Sequence, residues 1–209
     1  MIVVIGRLAG RLADGTTVAD GLAAGIAQAA VGAGAGSEII TKVGNDPAGD
    51  AVLLGLGRAG VGHVATLRDP AWATSVRAEP ADDLEVAAEA SADGADPSGP
   101  DGPTLERADV ELGLRYIPDI RVIVTVHAPH EVVAEALAAA RWSSAALVVV
   151  LGRGDDEPAS LPDDALVVRA DSGDGDSGLA GPLGRYAAAV DTGGDRAAAY
   201  AALTAAGSA

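Results

Sequence analysis

Apolar positions along the chain fall into two textures. Residues 2–5 (Ile2-Val3-Val4-Ile5), 120–126 and 146–151 are near-continuous apolar runs. Such runs predict strands buried on both faces. Residues 38–43, 63–67 and 165–168 are shorter and predict three further strands. Between these runs, apolar residues recur at helical spacing. Thr16 or Thr17 is placed to cap a helix through Val18, Leu22, Ile26 and Ala29 to about Val31. Asn45-Asp46-Pro47 predicts another helix start, with Asp46 accepting first-turn amides and Pro47 at the first helical position. That helix carries Val52, Leu53 and Leu56 and stops at Gly60. Residues 131–142 predict a third helix, and residues 179–190 and 195–206 two Ala-rich helices at the end. Strands alternating with helices predict an α/β fold of three layers around a mostly parallel sheet. In such sheets ligands sit at the carboxyl ends of the strands.

One stretch breaks the pattern. Residues 79–103 are rich in Asp, Ala, Gly, Ser and Pro, and predict a disordered insert. The 209 residues otherwise fit one domain. Composition narrows the chemistry. The chain has no Cys, which excludes disulfides, thiolate catalysis and cysteine-ligated metals. With 14 basic against 30 acidic residues, the net charge is −16. That charge repels nucleic-acid backbones and anionic lipid, so neither is an expected partner. No apolar run is long enough to span a bilayer, and the amino terminus lacks a signal-peptide pattern; a cytoplasmic protein is expected. Lys42 is the single lysine. An acid excess with so little lysine points to a salt-rich cytoplasm, where screening reduces self-repulsion. There is no Phe, so Ala, Val, Leu and Ile must build the core.

Residues 21–61 carry a family pattern. Gly21, Ala23, Ala27, Gly34 and Gly44 are spaced as in the amino-terminal signature of the ribokinase-like, or PfkB-type, carbohydrate kinases. Val43-Gly44-Asn45-Asp46-Pro47-Ala48-Gly49 and Gly60-Val61 resemble that signature's continuation. The resemblance implies a ribokinase-like core, and it implies ATP and magnesium as cofactors if phosphotransfer is retained. Four features depart from the family. Gly25 stands where the family has an Asn that touches substrate hydroxyls. Asp20 replaces the first Gly of a pair whose second member is Gly21. The family carries a sugar-binding Asp a few residues after the first strand, and here the turn Gly6-Arg7-Leu8-Ala9-Gly10 has no acid, the next being Asp14. Residues 7–16 leave almost no room for the family's lid strands, so a shortened core with an open cleft is expected; the family's lid-mediated dimer is then not expected, and the oligomeric state stays open.

The family's carboxyl-terminal signature places glycine amides as an anion hole and an Asp as base toward the substrate hydroxyl. Two stretches compete for it. Asp191-Thr192-Gly193-Gly194-Asp195 is short and close to the end of the chain. Gly173-Asp174-Gly175-Asp176 has the G-x-G-D spacing and precedes a helix, a turn and a second helix. The second alignment makes Asp176 the candidate base and Gly173 and Gly175 the phosphate-binding residues. Asp174 adds a carboxylate where phosphate charge would sit, and the same acidic stretch also reads as a solvated linker.

Other candidates are weaker. His127, at the carboxyl end of the strongest strand, is the histidine placed to face a ligand. His127 and His130 have H-x-x-H spacing without further ligands, so no metal site is assigned. Gly152-Arg153-Gly154 could cradle an anion. Trp72 and Trp142 read as packing residues. The expected function is a reduced carbohydrate-kinase homologue that binds a small molecule or a partner without phosphotransfer. An active ATP-dependent kinase of a sugar or nucleoside is the alternative.

Overall fold

The computed structural model describes residues 1–77, 102–152, 154–158, 161–170 and 177–206. The expected insert lies outside these residues except for Gly102 and Pro103, which are buried rather than loose. Gly173, Gly175 and Asp176 also lie outside them.

The six-stranded main sheet comprises β1 (Ile2–Gly6), β4 (Ser37–Gly44), β5 (Thr66–Asp69), β7 (Val122–Val126), β8 (Ala146–Leu151) and β9 (Leu166–Arg169). Its order is β5-β4-β1-β7-β8-β9 and every neighbouring pair is parallel. The chain first builds outward from β1 through β4 to β5. It then returns to the other side of β1 and builds outward again. The reversal places a switch point between β1 and β7, where a crevice opens at the carboxyl edge in such sheets.

Helices cover both faces. One face packs α1 (Leu22–Gly32), α2 (Pro47–Arg58) and α5 (Ser177–Asp191) over Ile2, Val4, Ile39, Val122 and Val124. The other packs α3 (Arg107–Arg115) and α4 (His130–Ser143) over Val3, Ile5, Ile40 and Ile123. Both faces of β1 are fully buried. At roughly 1.5–3 kcal/mol for each aliphatic side chain removed from water, this strand anchors the domain. A last helix, α6 (Arg196–Ala206), follows α5. The single lysine, Lys42, is nearly buried and meets Asp109 of α3 at 2.6 Å, tying the sheet to the second face.

The stretch between β1 and α1 corrects two expectations. Thr16 and Thr17 do not cap a helix, and lid strands are not missing. β2 (Ala9–Ala13) and β3 (Thr16–Asp20) form an antiparallel hairpin, and β6 (Val76–Arg77) joins β2 to complete a three-stranded second sheet. The physical reason is the turn. Asp14 and Gly15 have φ of 50° and 70°, the left-handed pair that reverses a strand in two residues. The twelve residues from Ala9 to Asp20 therefore suffice for a hairpin, and the β-branched Thr16-Thr17-Val18 run favours strand over helix. A third strand predicted at 63–67 is found displaced, as β5. A helix, α3, was not predicted.

Candidate functional site

The carboxyl edge of the sheet is built around glycines and two helix amino termini. Gly21 is the N-cap of α1, with φ 102° and ψ 163°, a conformation essentially reserved for glycine. It lets the chain turn from β3 into α1 and offers no side chain to cap the first amides. Gly6 ends β1. A Cβ there would lie 3.1 Å from the Cβ atoms of both Ala23 and Val126, so its absence seats α1 close against the switch point.

Helices α1 and α5 lie side by side and run the same way. The Cβ position of Gly25 is 2.7 Å from the Ala180 Cβ, and that of Gly184 is 2.5 Å from the Ala29 Cβ. Both contacts advance by one helical turn, so Leu22 and Ser177, the first residues of the two helices, are level. Residues 191–195 form the turn between α5 and α6, and Asp191 is nearly buried, 2.6 Å from the Met1 amine.

His127 closes β7 with φ 44°, an uncommon conformation for a non-glycine residue. Its amide donates to the Val150 carbonyl, which carries the strand pairing one residue past β7. It is half-buried at the switch point. Among the described residues no group of three metal-ligating side chains occurs. The Gly152 amide donates to the Asp155 carboxylate at 2.8 Å, and Arg169 donates to the Gly152 and Asp155 carbonyls. The chain's own carboxylate thus fills the place proposed for an anion.

Asp46 is a structural residue. Its oxygens accept from the Gly49 amide at 2.7 Å and the Thr74 amide at 2.6 Å, while the Thr74 hydroxyl accepts from the Gly44 amide. Burial pushes the carboxyl pKa up, but the Thr74 and Gly49 amides, the Thr74 hydroxyl and the Ala48 amide outweigh it and hold it below 3.8. A Cβ on Gly44 would stand 2.6 Å from the Thr74 nitrogen, and one on Gly49 2.5 Å from the Gly44 carbonyl. The V-G-x-D-x-x-G pattern thus clamps the 72–76 segment, and with it the small sheet, to the end of β4.

The sequence reading missed Arg11 and Arg77. They stand on the small sheet at 3.7 and 3.4 Å from the two oxygens of Asp20. Their signal lay in the strand register, which a helix assignment over residues 17–20 concealed. Trp142 is 92% exposed and corrects its assignment to packing. It borders a groove of about 390 Å³ between α3 and α4, floored by Leu114, Ile117, Ile120 and Ala139. That groove lies at the amino-terminal edge of the sheet, away from the strand ends described above.

No family model matches the chain, and no curated protein matches it. Solved structures do. The ATP complex of an uncharacterised sugar kinase from Pyrococcus horikoshii superposes with a TM-score of 0.53 at 18% identity, covering 72% of this chain and 52% of that one. The same kinase without ATP gives 0.51 at 20% identity, over 71% of this chain and 52% of that one. A fructokinase from Xylella fastidiosa, solved with ATP, gives 0.50 at 14% identity, covering 98% of this chain and 68% of that one. The chain has the ribokinase-like sugar-kinase fold. It spans about half the length of the Pyrococcus kinase. No helix among the described residues is long and apolar enough to cross a membrane.

Proposed function

We propose that this chain is a carbohydrate-kinase homologue that binds a small molecule at the carboxyl edge of its sheet and does not transfer phosphate. The contact between Gly25 and Ala180 carries the reading. The family resemblance assigns position 25 an Asn that touches substrate hydroxyls. Here the residue has no side chain, and α5 lies within 2.7 Å of where a Cβ would begin. Gly21 and Gly25 thus shape the backbone of the site rather than supply polar contacts, and His127 is the polar side chain of the switch point. The small sheet occupies the stretch where an open cleft was expected, so the reading rests on the missing Gly25 side chain and not on an open cleft.

One observation favours an active ATP- and magnesium-dependent kinase of a sugar or nucleoside. Helix α5 opens at Ser177, immediately after Gly173-Asp174-Gly175-Asp176 and level with α1. A helix start suits phosphate, and Asp176 would be the base of that reaction. Residues 173–176 lie outside the described residues, so no step is derived through ATP. Melting curves with monosaccharides, nucleosides and magnesium-ATP test the binding half of the proposal. A rise in melting temperature with a sugar-sized ligand is expected, and its loss on His127→Ala places that ligand at the switch point. Flat curves across the whole panel would remove the small-molecule reading.

A further inference from the structure

Trp142 is the most exposed large apolar side chain among the described residues. It stands in the last turn of α4 and walls the groove whose floor is Leu114, Ile117, Ile120 and Ala139. Single apolar residues at a surface are ordinary. A wholly exposed indole continuous with an apolar hollow is a patch of the kind that proteins bury against a partner. Knob and hole also lie side by side. Such a pair is self-complementary, because under a two-fold axis each copy's knob meets the other's hole.

The charges favour a second copy as the occupant. A chain of net charge −16 repels itself over most of its surface. Residues 107–145, which build α3, α4 and the edge between them, hold four arginines against five acids, so self-repulsion is weakest here. Most of these groups are already paired: Arg115 with Glu111, Arg107 with Glu135 and Asp109 with Lys42. At the groove two of opposite sign remain. The Asp119 carboxylate borders it and the Arg121 guanidinium is exposed, and neither has a partner among the described residues. The Arg121 amide donates to the Met1 carbonyl at 2.9 Å, and its carbonyl accepts from the Ala146 amide at 2.8 Å. Strand alternation therefore carries back from Ile123 and sets Arg121 on the side of α3 and α4.

We infer that this amino-terminal edge is the interface of a two-fold dimer of the chain, in which each Trp142 enters the other copy's groove and Asp119 of each copy faces Arg121 of the other. A two-fold axis turns two neighbouring opposite charges into two pairs between copies, which is charge complementarity with a second copy. Trp and Arg are also the side chains that dominate such interfaces. Two indoles of about 150–250 Å² each, covering as much groove again, approach the roughly 1,200 Å² at which specific interfaces begin. A reversible, micromolar dimer is therefore expected. The carboxyl edge lies at the other end of the strands and stays open, so the dimer stands or falls apart from the proposed ligand site.

Sedimentation equilibrium from submicromolar to several hundred micromolar chain, in about 0.5 M KCl to screen long-range repulsion, tests this. The mass should pass from monomer to dimer across that range. Trp142→Ala should raise the dissociation constant at least about tenfold, and because Trp142 is exposed its melting curve should match the wild type. Trp72→Phe should leave the mass unchanged and make Trp142 the sole indole, whose emission should shift to the blue as the dimer forms. Arg121→Glu should weaken the dimer several-fold by setting two carboxylates together. Adding Asp119→Asn, which tolerates the φ of 54° at that position, should recover most of the loss. A monomer at every concentration overturns the inference and leaves the groove to a small ligand or another protein. A dimer that persists with Trp142→Ala, or an emission that does not shift, places the interface elsewhere and overturns it as well. Weakening by Arg121→Glu that Asp119→Asn does not relieve refutes the paired charges.

Discussion

The Cβ position of Gly25 on α1 lies 2.7 Å from the Cβ of Ala180 on α5. This distance joins fold to function. Glycine here brings the two helix amino termini together at the carboxyl edge, and it also removes the side chain that the family resemblance would use on substrate. Restoring that side chain tests both meanings. Gly25→Asn should overpack the helix pair and lower stability by about 2 kcal/mol in urea unfolding, without creating sugar phosphorylation. A variant as stable as the wild type would show that α5 does not seal this position.

Asp46 predicts a pH dependence with a definite sign. Its folded pKa lies below 3.8, so the stability it confers is present above the unfolded value and is lost as pH falls through the folded one. Asp46→Ala should cost about 1 kcal/mol near neutrality, the usual value of a lost helix cap. Denaturant unfolding across pH should show the gap between variant and wild type closing below pH 3.8. A gap of constant size would mean that the carboxylate charge does not matter there.

The hairpin that builds the small sheet depends on Gly15. Its φ is 70° and nothing lies within 4 Å of its Cβ position. The cost of Gly15→Ala is therefore backbone strain alone, about 1 kcal/mol. Gly15→Asn should cost less, because Asn tolerates this conformation. Thermal melts of the two variants distinguish them, and equal melting temperatures would argue against the turn.

The acid excess predicts a response to salt. Screening should relieve repulsion among 30 carboxylates. The melting temperature should climb between 0.1 and 2 M KCl, while a flat profile would reject adaptation to a salt-rich cytoplasm.

The main sheet was legible because Ile2-Val3-Val4-Ile5 and the runs at 122–126 and 146–151 are apolar on both faces. Asp46-Pro47 marked its helix start with equal clarity, because cap and proline are local chemistry. The small sheet was not legible. Its strands are short and part-exposed, and their apolar content does not alternate cleanly. Its main sign was Asp14-Gly15, inside a stretch that left almost no room for strands. Arg11, Arg77 and Asp20 come together only through strand register, a relation between residues 57 positions apart. Glycine spacing from 21 to 49 carried the fold, because each close backbone approach demands a missing Cβ. The same glycines have no side chains, so their spacing says nothing of a ligand's chemistry.

The central claim is that the kinase scaffold remains and phosphotransfer does not. Mass spectrometry of the chain incubated with magnesium-ATP and a panel of neutral, acidic and phosphorylated sugars and nucleosides measures it directly. The account predicts no phosphorylated product from any of them. A product that forms with the wild type and disappears with Asp176→Asn would contradict it.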